Sequence, residues 1–186
     1  MQRQLAINRK PQGAFTLIEV LVVIAVVGVL ASLAAPSFTP TIERWRVRQA
    51  VEDMTSTLYL ARSEAVKRGG RITVIKNDLT SAGCPQATTT QEWACGWRIF
   101  VDTNDNGTQQ ASEETLQTSL PTTGVNIMNT ADSARFKVDR WGQISGLGVQ
   151  GFVVSPVRDG VSSPYVTSLC VSSGGRIQAK KGDAAC

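Results

Sequence analysis

The residue types that most often carry enzyme chemistry are sparse in this chain. Its 186 residues contain no histidine, so the commonest general base, nucleophile activator and metal ligand are missing. Ser-His-Asp catalysis, Cys-His catalysis and His-ligated zinc are therefore excluded. Carboxylates, lysine or tyrosine alone could still support catalysis, but no convergent pair of acids indicates it. The sequence predicts a protein that is not an enzyme.

One loop has the oxygen donors of a calcium site. Asp102, Asn104 and Asn106 alternate along it, Gly107 follows, and five residues separate that glycine from Glu113. This is the spacing of an EF-hand loop, in which hard oxygen ligands bind Ca²⁺. Asn-Gly is also a hairpin signal by itself, and the predicted flanking elements are strands rather than helices. A plain turn is the favoured interpretation, calcium is the alternative, and no other cofactor is predicted.

The formal net charge of +4 comes mostly from the first fourteen residues. They hold three bases and no acid, whereas the other 172 residues hold 16 bases and 15 acids. A nucleic-acid partner would therefore need a local basic patch. Arg176, Lys180 and Lys181 form such a patch near the C-terminus and could neutralise DNA phosphates. A solvated or subunit-facing patch is the alternative.

An apolar run separates this basic start from the rest of the chain. Residues 15–35 carry one charge, Glu19, and as a helix would be about 31 Å long, enough to span hydrocarbon. Arg9 and Lys10 before the run predict a cytoplasmic N-terminus and a C-terminal part across the membrane. A signal peptide cleaved after Ser32-Leu33-Ala34 is the alternative. Because an unpaired carboxylate is costly in lipid, Glu19 favours a retained helix that assembles with others.

The start of this run resembles a known signal. Phe15-Thr-Leu-Ile-Glu19 is similar to the class III signal of type IV prepilins and type II secretion pseudopilins, and that family's helix glycine and proline fall on Gly28 and Pro36. The resemblance implies that the Phe15 amine pairs with Glu19 of a neighbouring subunit and sets its register, which makes burial of both charges tolerable. It also implies that Gly28 and Pro36 weaken the helix for packing into a filament.

The same resemblance implies processing of the N-terminus. Prepilin peptidase would remove residues 1–14 by cutting between Ala14 and Phe15, and the new amine would become N-methyl-Phe15. The family usually has glycine before the phenylalanine, so a cut between Gly13 and Ala14 is the alternative.

The elements after the apolar run change from helical to strand patterns. Apolar residues recur at three- and four-residue steps over 41–68, which predicts an amphipathic helix ended by Gly69-Gly70. Short apolar runs between turn residues then predict seven strands, at 71–76, 96–102, 114–119, 126–128, 135–138, 151–155 and 167–172. Antiparallel strands packed on the apolar stripe of the long helix give an α+β fold, and the resemblance implies the pilin fold.

The cysteines indicate structural disulfides. Cys84, Cys95, Cys170 and Cys186 all follow the apolar run, in a compartment where disulfides persist. Three pairings are possible. Local closure favours Cys84–Cys95 and Cys170–Cys186, and the spacing is wrong for CxxC zinc or redox chemistry.

Later segments resemble the GspH/FimT/FimU branch of the pilin-like family. They are residues 96–102, 136–142 and the ending Cys170…Gly175-Arg176-Ile177. FimT members resemble DNA receptors with a Gly-Arg-x-Arg stretch, and here Gln178 stands in place of the second arginine.

The branch implies a minor pilin that primes type IV pilus assembly at or near the tip, with other minor and major pilins as partners. A GspH-type pseudopilin of type II secretion and a DNA-uptake pilin are the alternatives. The predicted parts are a leader (1–14), a membrane and filament-core helix (15–35), its amphipathic continuation (36–68) and a β-rich periplasmic domain (69–186). The protein would wait in inner-membrane lipid as a single-pass protein and then enter an extracellular pilus.

Overall fold

The computed structural model describes residues 15–34, 38–77, 84, 89–145, 150–172, 174–182 and 186. The chain divides into two compact units, Met1–Thr39 and Pro40–Cys186. Helix α1 (Leu17–Ala34) belongs to the first unit, and helix α2 (Thr39–Arg68) begins at its boundary and runs through the second. The predicted leader and Pro36 lie outside the described residues.

Helix α1 exposes its apolar side chains. Every described side chain from Phe15 to Ser32 is exposed. The helix has 18 residues, about 27 Å at the usual rise, and lies within the span predicted over 15–35. Within the described part of the chain, no helix combines the length and the apolar character needed to cross a membrane.

Helix α2 is amphipathic and has defined ends. Pro40 lies in its first turn, where a missing backbone N–H leaves no helical bond unmade. At its end, Gly69 has φ +78° and the Gly70 amide donates to the Ala65 carbonyl at 2.7 Å, which is a Schellman closure. Its buried stripe consists of Val47, Ala50, Val51, Met54, Thr57, Leu58, Ala61 and Ala65.

Nine strands form two antiparallel sheets in the described residues. The first sheet contains β1 (Ile72–Lys76), β2 (Trp97–Val101), β3 (Thr115–Ser119), β5 (Arg135–Val138) and β6 (Ile144–Ser145), in the order β3-β2-β1-β5-β6. The second contains β4 (Val125–Asn129), β7 (Gln150–Pro156), β8 (Thr167–Val171) and β9 (Ile177–Lys181), in the order β4-β7-β8-β9. A short 3-10 helix, Gly160–Ser162, lies between β7 and β8.

The predicted α+β class is confirmed, and all seven predicted strands are present. Sequence analysis missed β6 and β9. Strand β6 has only two residues, and β9 is an edge strand whose last four residues are exposed, so neither carries the alternation of apolar residues that marks a half-buried strand. The chain thus continues for one strand beyond the last one predicted.

One core joins α2 to both sheets. Its aromatic part is Trp93 with Phe136 on β5 and Phe152 on β7; the ring centroids of Trp93 and Phe152 are 5.3 Å apart. Trp97 on β2 donates its indole N–H to the Thr57 hydroxyl at 2.8 Å, and both residues are buried. These contacts fix α2 across the sheets.

Candidate functional site

The predicted assembly acid, Glu19, takes part in the N-terminal cap of α1. Thr16 precedes the helix, and its hydroxyl oxygen accepts a hydrogen bond from the Glu19 amide at 3.3 Å. In return Glu19 Oε2 accepts from the Thr16 amide and from the Thr16 hydroxyl, both at 2.9 Å. This reciprocal arrangement is a capping box, which satisfies backbone donors at the helix start. Sequence analysis missed it, although the Thr-x-x-Glu spacing is its signature.

The cap leaves part of the carboxylate available. Glu19 Oε1 makes no hydrogen bond with a described residue, and Phe15 is 86% exposed. Gly28 lies within the continuous helix, and a Cβ placed on it would meet no atom within 4 Å. Ala14 and Pro36, and with them the scissile bond and the proposed bend, lie outside the described residues.

The C-terminal basic patch is divided between the two ends of β9. Lys180 and Lys181 pair with Ser168 and Thr167 at one end, while Arg176 precedes the strand at the other, about 13 Å from Lys180 along the strand. This distance separates Arg176 from the two lysines. The predicted patch is therefore not a single site.

The lysines instead border a groove of about 930 Å³ between α2 and the second sheet. Arg44 and Arg48 of α2 line the same groove, with Tyr59 and Tyr165 among the other lining residues. Arg48 pairs with Glu52 at 2.7 Å. The groove thus collects four cations against one acid that is already paired.

Arg62 organises the other end of the patch. Its guanidinium donates from Nε to the Gly142 carbonyl at 3.0 Å and from Nη1 to the Gly175 carbonyl at 2.5 Å. Gly175 has φ +78°, and a Cβ there would lie 2.5 Å from the Arg62 Cζ. The glycine of the Gly175-Arg176 pair is therefore required by the fold. Its partners are 80 and 113 residues away in the chain, so no local sequence pattern indicates this role of Arg62.

The calcium-like loop satisfies its own oxygen atoms. The buried Asp102 carboxylate accepts from the Asn106 amide at 3.0 Å, the Gly107 amide at 2.7 Å and the Thr73 hydroxyl at 2.8 Å. The Asn104 side-chain oxygen accepts from the Asn106 amide at 3.1 Å, and that of Asn106 accepts from the Thr108 amide at 2.8 Å. The geometry favours the plain turn.

Glu113 closes this loop in the same way. Its carboxylate accepts from the Gln110 amide at 3.0 Å and from the Thr103 amide and hydroxyl at 2.8 and 3.0 Å. The hydrogen bond from the Gln110 amide is the main cause that lowers the pKa of Glu113, and burial opposes it. Among the described residues, no group of three acids, histidines or cysteines could hold a metal ion.

The four cysteines form two disulfides. Cys84 joins Cys95, and Cys170 joins Cys186, the pairing that local closure favours. The second bond ties the C-terminal residue to β8 and lies close over Gly151 of β7. A Cβ on Gly151 would lie 2.6 Å from the Cys186 sulfur, so a glycine is needed there.

Comparisons with known proteins agree with the fold and with the N-terminal signal. Residues 50–175 match the family described as type II transport protein GspH, and residues 9–35 match the prokaryotic N-terminal methylation motif. A fimbrial protein of Pseudomonas aeruginosa is 26% identical over 160 residues, which cover 85% of this chain and 88% of that protein. The pilin-like protein PilA1 of Thermus thermophilus is 29% identical over 160 residues, or 86% of each chain.

A solved structure has the same fold. The crystal structure of the type IV minor pilin FimU of Pseudomonas aeruginosa matches with a TM-score of 0.54 and 18% identity, covering 75% of this chain and 96% of FimU. The family match over most of the chain and the methylation motif at its start agree with that fold. This chain therefore belongs to the GspH family of type IV pilin-like minor pilins and pseudopilins, whose members are structural subunits rather than enzymes.

Proposed function

We propose that this chain is a minor pilin that primes assembly of a type IV pilus and lies at or near the pilus tip. The observation that carries the proposal is α1, an apolar helix whose described side chains through Ser32 are exposed. Exposed apolar surface of this extent is stabilised only when another molecule covers it. In a filament that molecule is the equivalent helix of the neighbouring subunits.

Glu19 sets the register in this proposal. Cleavage between Ala14 and Phe15 by prepilin peptidase would create a cationic amine one helical turn from Glu19, and the amine of an incoming subunit would pair with the free Oε1 of the subunit already in place. A buried ion pair is tolerable, whereas one buried charge alone is strongly destabilising. A subunit shifted along the axis would leave both charges unpaired and would be rejected.

The capping box makes the test sharper, because it gives Glu19 a second role within its own helix. Glu19→Gln keeps a side chain that can cap the helix but removes the charge. Thr16→Val removes the cap but keeps the charge. If the ion pair matters, Glu19→Gln will be missing from sheared pilus fibres, as judged by immunoblot, while Thr16→Val will be incorporated.

The reverse pattern, loss with Thr16→Val and normal incorporation of Glu19→Gln, would mean that Glu19 only caps its helix. Membrane-fraction levels of each variant serve as the control for expression. Normal incorporation of both variants would overturn the assembly role.

The processing step has its own measurement. Mass spectrometry of the mature protein is expected to find N-methyl-Phe15 at the N-terminus. An unmethylated Ala14 would indicate a cut after Gly13 instead. A mature N-terminus near Ala35 would mean that residues 15–35 are a signal peptide and that the proposal is wrong.

We also propose that the protein waits in the inner membrane with residues 40–186 in the periplasm. The apolar run over 15–35 and the bases Arg9 and Lys10 before it support this topology. A reporter enzyme that works only in the periplasm should be active when it is fused after Cys186, whereas one that works only in the cytoplasm should be inactive. The chain should also resist carbonate extraction from membranes.

The family includes both pilus and secretion subunits. Deletion of the gene would show whether this chain acts in a pilus or in secretion. We expect loss of surface pili with normal secretion of exoproteins. Loss of secretion with normal pili would assign the chain to a type II secretion pseudopilus.

DNA uptake is a second candidate function, favoured by the groove that collects Arg44, Arg48, Lys180 and Lys181. Each cation that contacts a phosphate steepens the salt dependence of binding. Lys180→Ala, Lys181→Ala and Arg44→Ala should each weaken a duplex-DNA gel shift and flatten its salt dependence, whereas Arg158→Ala is the matched surface control. No shift by the wild-type chain at low salt would rule this candidate out.

A further inference from the structure

The turn after β5 carries an exposed tryptophan, and four hydrogen bonds within residues 139–143 fix the backbone of this turn. Asp139 Oδ1 accepts from the Trp141 amide at 2.9 Å and the Gln143 amide at 2.8 Å. The Asp139 amide donates to the Gln143 carbonyl, and the Gly142 amide donates to the Asp139 carbonyl, both at 2.9 Å. With its backbone fixed in this way, the Trp141 side chain is still 74% exposed.

This turn packs on the last turns of α2. Arg62 and Val66 are four residues apart and so lie on one face of the helix end, and Gly70 follows the helix. Arg62 bonds the Gly142 carbonyl, and a Cβ built on Gly142 would lie 3.6 Å from Val66 Cγ2. A Cβ on Gly70 would lie 3.1 Å from the Arg140 nitrogen, so the glycine permits the close approach. The turn therefore cannot move without disturbing α2.

The same arginine brings a second loop to this turn. Because Arg62 bonds the carbonyls of both Gly142 and Gly175, the segments that carry Trp141 and Arg176 lie side by side. Arg140 and Arg176 are exposed, and neither forms an ion pair with a described residue. The result is a surface, here called the Trp141 surface, that consists of Trp141, Val66, Arg140 and Arg176.

Trp141 is not part of the core that the described residues form. Trp93 and Trp97 are buried in the core, whereas Trp141 and the 60% exposed Val66 present apolar area to solvent. Tryptophan and arginine on a pre-formed surface are the residue types that dominate protein-protein binding energy. Pre-organisation by the turn reduces the entropy that binding would otherwise lose.

The geometry points to the Trp141 surface as a docking site for a neighbouring filament subunit that offers an apolar pocket with carboxylates at its rim. This inference rests on the proposed function. Arg140 and Arg176 form no ion pair with a described residue. They therefore favour a partner with carboxylates around its pocket, since opposite charges across an interface favour the correct partner. The exposed aliphatic Val66, which lies 3.6 Å from a Cβ built on Gly142, indicates a protein pocket rather than a nucleic-acid base.

The test uses the full-length chain in cells that assemble the fibre and lack the native copy. Trp141→Ala should lower incorporation into sheared fibres by about tenfold or more, as expected when an interface anchor is truncated. Trp141→Phe should restore part of it. Leu120→Ala is the matched control, because Leu120 is an apolar residue that is 79% exposed on a different loop.

Charge reversal tests the acidic rim. Arg176→Glu and Arg140→Glu should each lower incorporation, whereas Arg158→Glu, at another exposed arginine, should not. Thermal unfolding of each purified full chain in detergent should be unchanged from wild type, because these side chains are exposed. Normal incorporation of Trp141→Ala and Arg176→Glu would overturn the inference.

Three further outcomes separate the alternatives. If Glu19→Gln is excluded from fibres but Trp141→Ala is not, the proposed function stands and the docking site is wrong. If the wild-type chain never enters fibres, the proposed function itself is wrong. If Trp141→Ala abolishes binding of a labelled single-stranded oligonucleotide in fluorescence anisotropy while incorporation stays normal, the surface binds nucleic acid and the docking inference is overturned.

Discussion

Helix α1 and the globular unit use apolar residues in opposite ways. In α1 every described apolar side chain through Leu30 is exposed, whereas in the globular unit (Pro40–Cys186) α2 and both sheets contribute apolar side chains to one buried core. The polar groups differ as well. The loop at Asp102 and Glu113 satisfies its carboxylates internally, but Glu19 keeps one oxygen without a described partner.

The difference separates folding from assembly. The globular unit is stabilised by contacts within the chain, including a core and two disulfides. An isolated helix buries little surface and is marginal in water, so an exposed apolar helix such as α1 needs a covering partner. Changes in the two regions should therefore affect different measurements.

A matched pair of leucines gives the largest expected contrast. Leu58 in α2 is 1% exposed and Leu30 in α1 is 60% exposed. Leu58→Ala should lower the free energy of unfolding of the globular unit by about 2–5 kcal/mol through lost burial and a cavity. Leu30→Ala should change it by no more than about 0.5 kcal/mol. Denaturant titration of the full chain in detergent, followed by tryptophan fluorescence, measures both.

Fibre incorporation should add a separate effect for Leu30. If the exposed side chains of α1 are the filament contacts, Leu30→Ala should lower incorporation although the fold is intact. Equal destabilisation by the two substitutions would contradict the division between the regions.

The disulfide of Cys170 and Cys186 is the next largest contribution. It closes a sequence separation of 16 residues, which in the chain-entropy estimate stabilises by about 3 kcal/mol. The double substitution Cys170→Ala with Cys186→Ala should lower the free energy of unfolding by this order, because the unfolded chain gains freedom. The reduced wild-type chain, measured by the same denaturant titration, should show at least as large a loss. No loss in either would mean that the C-terminal bond does not stabilise the fold.

Two arginines of α2 provide a smaller contrast within one helix. Arg62 bonds two carbonyls from distant loops, whereas the one partner of Arg48 among the described residues is the exposed Glu52. Arg62→Ala should lower the free energy of unfolding by about 2–3 kcal/mol, because charged donors to partly buried acceptors are lost. Arg48→Ala should cost no more than about 0.5 kcal/mol. Thermal unfolding monitored by circular dichroism compares them, and equal effects would contradict the bridging role of Arg62.

The stability of the fold at acid pH should depend on the hydrogen bonds to Glu113. The Gln110 amide, the largest cause, lowers the pKa of Glu113 in the folded state. A lowered folded pKa adds stability that is complete above the unfolded pKa of about 4.3 and is lost as the pH falls through the folded value. Glu113→Gln should therefore reduce the loss of stability below that pH, measured by thermal unfolding between neutral and acid pH.

Part of the acid dependence should remain in this variant. The side chain of Arg68, the largest cause, also lowers the pKa of Glu64. Glu43→Gln is the control, since Glu43 has no hydrogen bond to a described residue. An unchanged acid profile in Glu113→Gln would show that the loop bonds do not contribute.

Sequence reasoning succeeded where short-range patterns decide the structure. The period of α2, the seven apolar strands and the local cysteine pairing all depend on neighbouring residues. It failed at Arg62, whose two acceptors are brought near only by the complete fold, and at β9, an exposed edge strand. The separation of Arg176 from the two lysines also required knowledge that the segment is a strand. The Thr16 cap is different, because its spacing was readable and was overlooked.

The smallest expected effect is that of calcium on the loop at Asp102. The loop has the residue spacing of an ion site, but its oxygens accept hydrogen bonds from the amides of Asn106, Gly107, Thr108 and other neighbours. A bound Ca²⁺ would have to displace these donors, and their loss would offset the energy of coordination. Millimolar calcium and a chelator should therefore give the same thermal midpoint of unfolding, by calorimetry of the full chain. A midpoint that rises with calcium, and that Glu113→Gln abolishes, would instead establish an ion site that replaces the internal hydrogen bonds.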